Sequence, residues 1–149
     1  MTEPVEARPI DATATYDLRH RVLRPDAPME DVQFDGDELA TTHHMGAFRG
    51  DALIAIATVY REARPDSDGD DEWRLRGMAA EPAARGTGAG RAALDAIEAH
   101  ARAEGGRLLW CNARTPAIGF YERAGWIVLG EEFEIPSAGP HYVMEKPLS

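Results

Sequence analysis

Residues 73–106 read WRLRGMAAEPAARGTGAGRAALDAIEAHARAEGG. Trp73 to Ala80 has the composition of a strand, and Ala83 to Gly90 is a loop. Gly88 to Gly105 is the clearest helix in the chain. Its polar residues Arg91, Asp95, Glu98 and Arg102 fall 4, 3 and 4 apart and form one solvated stripe. Leu94, Ile97 and Ala101 take the opposite side and face a core. Gly105-Gly106 closes the helix at its C-cap.

The loop Arg85-Gly86-Thr87-Gly88-Ala89-Gly90-Arg91 carries the strongest chemical signal. Three alternate glycines let the backbone curl so that successive N–H groups point inward, and a large anion can approach a chain without Cβ atoms. The helix start adds partial positive charge. Arg85 and Arg91 flank the loop with no acid between them, so a phosphate or pyrophosphate suits it. Three phosphate motifs compete. A P-loop needs Gly-Lys-Ser/Thr, which is missing. Gly88-x-Gly90-x-x-Ala93 formally matches the dinucleotide fingerprint. However, Glu81 to Thr87 separate it from its strand, and Asn112-Ala113 stands where an acid is wanted. Arg85-x-x-Gly88-x-Gly90 matches the pyrophosphate loop of acyl-CoA-dependent acetyltransferases. A plain strand-to-helix turn would need one glycine and no arginines.

On the N-terminal side, Val5 to Ile10 alternates as a first strand. Asp11 stands as N-cap of a helix to about Arg24, with Ala14, Tyr16, Leu18, Val22 and Leu23 supplying its apolar side. Arg24-Pro25 ends it, and Pro25 to Asp37 is a loop. His43 to Arg49 and Ala52 to Arg61 form a hairpin around Gly50-Asp51. Ala63 to Glu72 reads as a solvated acidic loop rather than a metal site.

On the C-terminal side, Arg107 to Cys111 is a short, nearly all-apolar strand suited to the centre of a sheet. Thr115 caps a helix that has Pro116 in its first turn and ends at Gly125. Trp126 to Ile135 and His141 to Lys146 are the last strands, joined through Pro136-Ser137-Ala138-Gly139-Pro140. The order β-α-β-β-β-α-β-α-β-β implies one mixed sheet with helices on it, an α/β (α+β mixed) class.

The 149 residues suit a single domain spanning 1–149. Hydrophobic residues make up 44% and charged ones 28%, a globular composition. Cys111 alone excludes an internal disulfide framework and a Cys-based zinc site. The opening MTEPVEARPIDA has no apolar leader core and no apolar run reaches membrane-spanning length, so a cytoplasmic protein is expected. A net charge of −10 argues against general nucleic-acid binding.

With these residues in place, the chain resembles the GCN5-related N-acetyltransferase superfamily. Asn112-Ala113-Arg114-Thr115-Pro116-Ala117-x-x-Phe120-Tyr121-x-x-x-Gly125-Trp126 is similar to its N…A-x-x-F-Y-x-x-x-G-F segment, with Trp126 for the usual Phe. Leu18-Arg19-His20-Arg21-Val22-Leu23-Arg24-Pro25, Phe34-Asp35-Gly36-Asp37 and Gly139-Pro140-His141-Tyr142-Val143-Met144 look similar to its ElaA-like branch. The resemblance implies a sheet of about seven strands splayed in a V between the fourth and fifth. It also implies acetyl-CoA in the V as co-substrate, and no metal. The implied reaction is direct attack of a primary amine on the thioester in a ternary complex; the alternative is a non-catalytic acyl-CoA-binding or sensor module of the same fold.

Residue by residue, the resemblance implies that Met78, Ala79 and Ala80 pair with pantetheine, with an oxyanion donor near Ala79 or Ala80. It gives Arg85, Gly86, Thr87, Gly88, Ala89, Gly90 and Arg91 to the pyrophosphate, Asn112 to pantetheine, and Tyr121 to the general acid. Read by themselves, Asn112 also suits a strand-to-helix turn and Tyr121 a core aromatic. For the base, His44, His141, Glu134 and an ordered water stay open. His20 and His100 read as solvated helix residues. The acceptor, a small-molecule or peptide amine, is expected between the first helix, the Pro25 to Asp37 loop and the last two strands. The acidic chain favours a cationic one. Neither nucleic acid nor membrane is an expected partner, and a homodimer stays open.

Overall fold

Alternating apolar segments linked by tight turns force neighbouring strands to pair, and here they build one sheet. The computed structural model describes residues 4–136 and 138–148. The expectations resting on Met1 to Glu3, and on Ser137 in the last linker, lie outside the described residues. The elements in order are β1 (Val5–Pro9), α1 (Ala12–Leu18), β2 (His43–Arg49), β3 (Ala52–Arg61), β4 (Glu72–Ala80), α2 (Ala89–Ala103), β5 (Leu108–Arg114), α3 (Ile118–Arg123), β6 (Ile127–Ile135) and β7 (Gly139–Pro147). The seven strands lie in the order β1-β2-β3-β4-β5-β7-β6. Every neighbouring pair is antiparallel except β4 with β5. This is the mixed sheet expected from the sequence.

The parallel pair is short. It joins Glu72, Trp73 and Arg74 to Leu108, Leu109 and Trp110 and then stops. Beyond it β5 stays paired to β7 as far as Arg114 opposite His141, while β4 continues along β3 to Ala80. The two strands therefore diverge, leaving facing backbone edges unpaired, and the sheet opens as a V.

One face of the sheet carries α2, whose Leu94, Ile97 and Ala101 are buried with Trp73, Leu75, Leu109 and Cys111. The other carries α1, with Leu18 packed on Ile56 and Ala79. Along β4, Trp73 and Leu75 face α2, so Arg74 and Arg76 face the α1 side. A bulge then interrupts the alternation. Gly77 and Met78 together oppose a single residue of β3, and Gly77 has φ +67°, a left-handed conformation that suits glycine. A Cβ there would lie 2.9 Å from Arg19 Nε and 3.2 Å from the Phe34 ring.

Several local expectations are corrected. Asp11 occupies the N-cap of α1, but its side chain makes no capping bond. The α-helix stops at Leu18 and gives way to a π-helical turn over Arg19–Leu23. The Pro25 to Asp37 loop contains 3-10 turns at Met29–Val32 and Asp35–Glu38. Thr115 caps nothing: its hydroxyl reaches Glu132 at 2.7 Å, and α3 starts three residues later, after a 3-10 turn. Asn112 lies in the middle of β5, opposite Val143, rather than at its end.

The acidic loop is anchored, not freely solvated. Buried Glu72 accepts from the Arg64 backbone at 2.8 Å and from Ser67 at 2.9 Å, and Arg64 also binds Glu145. His100 stacks on His43 at 3.9 Å, and His20 Nε2 meets the Ala27 carbonyl at 2.8 Å, so neither is simply solvated. Among the described residues no helix is long and apolar enough to cross a membrane.

Candidate active site

The glycine loop sits where β4 hands over to α2. Gly86 and Gly88 have φ +81° and +90°, and a Cβ at either would meet nothing within 4 Å. The glycines therefore serve the backbone path and an open approach rather than internal packing. The first hydrogen bond of α2 runs from the Ala92 N–H to the Gly88 carbonyl at 2.9 Å. The N–H groups of Gly86, Gly88, Ala89, Gly90 and Arg91 have no acceptor among the described residues, as expected at a helix start. Thr87 is the exception. Its N–H, at 3.2 Å, and its hydroxyl both turn back to the Ala84 carbonyl, so it shapes the loop and offers it no donor. Arg91 is tied to Asp95 at 2.8 Å. Exposed Arg85 has no carboxylate partner among the described residues, which leaves it as the loop's unspent charge.

At the open edge of β4, the Glu81 N–H donates to the Ile54 carbonyl at 2.8 Å. Successive N–H groups of an extended strand point to opposite edges, so Ala79 faces β3 and Ala80 faces the V. Of the two oxyanion candidates, Ala80 is the one whose N–H faces the opening.

A cleft of about 300 Å³ occupies the V, and its lining includes Met78, Asn112, Tyr121 and His141. Tyr121 is buried, its ring in tilted or edge contact with Trp126 and Phe120 at 5.3 Å each. Burial, reinforced by Cys111 nearby, pushes its phenol well above the ordinary range, so it stays protonated at neutral pH. His141 stands opposite Arg114, on the α1 side of the sheet. Its Nδ1 lies 2.7 Å from the Gly139 carbonyl, an acceptor only, so in the neutral imidazole Nδ1 is the protonated nitrogen and Nε2 the one with the lone pair.

Two other base candidates are placed elsewhere. Glu134 is exposed and alternates away from Ile135, which lines the cleft. His44 is not brought to the cleft. Its Nδ1 meets Thr58 Oγ1 at 2.8 Å and its Nε2 meets the Asp37 carbonyl at 3.2 Å. The Asp37 carbonyl must receive a proton from Nε2, so Nδ1 accepts from the Thr58 hydroxyl. Both nitrogens are spent.

The residue behind this arrangement went unread in the sequence. Arg19 is fully buried and forks onto Asp37 at 2.7 and 2.9 Å. It also donates to the Val32 carbonyl at 2.8 Å and Thr58 at 3.0 Å, and its guanidinium lies 4.1 Å over the Phe34 ring. The loop that closes the α1 side of the cleft is thereby bolted to the sheet. The available signal was an arginine directly after Leu18, at the inward edge of the helix.

Cys111 lines the cleft, but burial pushes its thiol far up, so thiolate is scarce. Native protein is expected to resist iodoacetamide at neutral pH. Rapid stoichiometric labelling without unfolding, read by mass spectrometry, would contradict this.

Comparison with known proteins identifies the family. The model of the acetyltransferase (GNAT) family matches residues 11–126. The uncharacterized N-acetyltransferase YitI of Bacillus subtilis (strain 168) is 38% identical over 145 residues, covering 97% of both chains. Among solved structures, an aminoglycoside 6'-N-acetyltransferase complexed with coenzyme A superposes with a TM-score of 0.77 at 14% identity, covering 97% of each chain. ElaA of Escherichia coli superposes with a TM-score of 0.73 at 21% identity, covering 96% of this chain and 99% of that one. These two likenesses concern the fold. Because the family model spans the glycine loop, both strands of the V and the Tyr121 segment, the chain belongs to the GNAT family of acetyltransferases.

Proposed function

We propose that this protein transfers an acetyl group from acetyl-CoA to a primary amine by direct attack within a ternary complex. The observation that carries the reading is the run of unspent N–H groups at Gly86 and Gly88 to Arg91, leading straight into the unpaired edge of β4. A diphosphate fits the first and an extended chain of amides the second.

In this reading the loop N–H groups and Arg85 hold the pyrophosphate. Asn112 and the β4 edge align the pantetheine arm, and the Ala80 N–H donates to the thioester oxygen as negative charge gathers there. His141 Nε2 takes a proton from the acceptor, directly or through water, so that the amine lone pair is free. The new C–N bond forms as the C–S bond breaks, the Tyr121 hydroxyl gives its proton to the departing sulfur, and the surplus proton on the acylated nitrogen returns through water to the phenolate. Burial weakens the phenol as an acid, but a thiolate leaving inside the same dry cleft is also a stronger base.

Isothermal titration with acetyl-CoA and a discontinuous assay of CoA release test the reading. Arg85→Ala should weaken acetyl-CoA binding about tenfold, the low end for a charged hydrogen bond because the side chain is exposed. Binding should also fall with rising salt. Unchanged affinity would remove the phosphate assignment. Tight binding with no transfer to any amine would favour the sensor alternative.

A further inference from the structure

The α1 side of the cleft is unexpectedly basic for a chain of net charge −10. Arg24, Arg74, Arg76 and Arg114 all line it, and no Asp or Glu does. Arg74 is spent, paired with Glu62 at 3.0 Å and lying 4.9 Å over the Trp110 ring. The other three have no carboxylate within ion-pair distance among the described residues. Arg76 lies 4.1 Å over the Phe34 ring, as Arg19 does, so Phe34 serves both guanidiniums. Among the described residues Arg114 donates only to the Leu23 carbonyl, and burial together with the Arg24 charge holds its pKa below the usual value. Asp26 and Asp31 line the adjoining depression with Arg24 and Arg114, yet neither pairs with them.

Three half-buried cations that share a cleft with no carboxylate paired to them repel one another and gain from an anion placed between them. The glycine loop lies at the start of α2, whereas Arg76 and Arg114 project from the α1 face into the cleft, Arg114 directly opposite His141. These arginines are therefore placed to meet the acceptor rather than the pyrophosphate. Building on the transferase reading, we propose that the acceptor is an amine that also bears a carboxylate, such as a free amino acid, with Arg24, Arg76 and Arg114 receiving the carboxylate and His141 facing the amine. The planar fork of a guanidinium matches a carboxylate in two parallel hydrogen bonds. A volume of about 300 Å³, shared with the acetyl end, suits a small acceptor. The local charge thus runs opposite to the cationic acceptor that the whole-chain charge favoured.

The test is acetylation of the twenty protein amino acids, each against its own carboxamide, with phosphoethanolamine and spermidine included and CoA release as the readout. Carboxamide amines are less basic and more often unprotonated at neutral pH, so amine chemistry alone favours the amide. At least one acid should exceed its amide in kcat/KM by about 10- to 100-fold, the worth of a charged hydrogen bond. Arg76→Gln and Arg24→Gln should each collapse that ratio by a similar factor while the KM for acetyl-CoA holds. Amides, spermidine or phosphoethanolamine acetylated as well as the best acid would overturn the proposal and leave the transferase reading standing. So would variants that raise the acetyl-CoA KM instead of changing the ratio. No transfer to any amine also overturns it, and the acetyl-CoA titration then tells whether the transferase reading falls with it.

Discussion

Tyr121→Phe should lower kcat by about 10²–10⁴-fold, the usual contribution of a positioned general acid. The substitution removes one oxygen and keeps the ring, so contacts with Trp126 and Phe120 survive and the core around α3 is preserved. None of the described residues hydrogen-bonds the phenol, so no internal partner is orphaned. Acetyl-CoA affinity should hold, because the ground-state thioester takes no proton. The measurement is single-turnover acetylation of the best acceptor at saturating substrate, beside an acetyl-CoA titration of the same variant. Wild-type turnover with chemistry limiting the rate would return Tyr121 to a packing role.

Asp37→Ala should have the largest effect on stability. It strands the fully buried Arg19 guanidinium, which keeps only the Val32 carbonyl and the Thr58 hydroxyl as acceptors. Breaking one side of a buried pair costs about 3–5 kcal/mol. A domain with a total of about 5–15 kcal/mol loses a large share of its stability. The Phe34 N–H also loses its acceptor on Asp37, at 3.0 Å, so the loop should loosen first. Urea unfolding should show a large drop in midpoint, and hydrogen exchange should rise first at Phe34 to Glu38. The double variant Arg19→Met/Asp37→Leu removes both charges and should recover much of the loss. A single variant as stable as the parent would show that the pair contributes nothing.

Where local chemistry decides the structure, the sequence could be read directly. The amphipathic stripe of α2 and the alternate glycines of 85–91 depend on neighbours only a few residues away, and both stand in the structure as expected. The hairpin at Gly50-Asp51 and the β-α order follow from turn chemistry and periodicity. The motif resemblance then placed the V between the fourth and fifth strands, where pairing stops after Arg74 and Trp110. Three readings depended on partners far along the chain and could not be made locally. His44 and His141 are equally plausible bases in sequence; only their hydrogen bonds separate them, because Thr58 and Asp37 occupy both nitrogens of His44, whereas His141 Nε2 has no partner among the described residues. Arg19 reads as an ordinary helix residue until a π-helical turn and a loop 18 residues away enclose it with Asp37. The charge of the cleft cannot be inferred from the net charge, since the carboxylates that outnumber the arginines lie elsewhere. The sequence by itself determined the strands, the long helix α2 and the glycine loop, because those follow from short-range periodicity and backbone freedom. Only the tertiary structure decided which histidine nitrogen and which arginines are left without a partner among the described residues, because both depend on what the fold brings within a few ångströms.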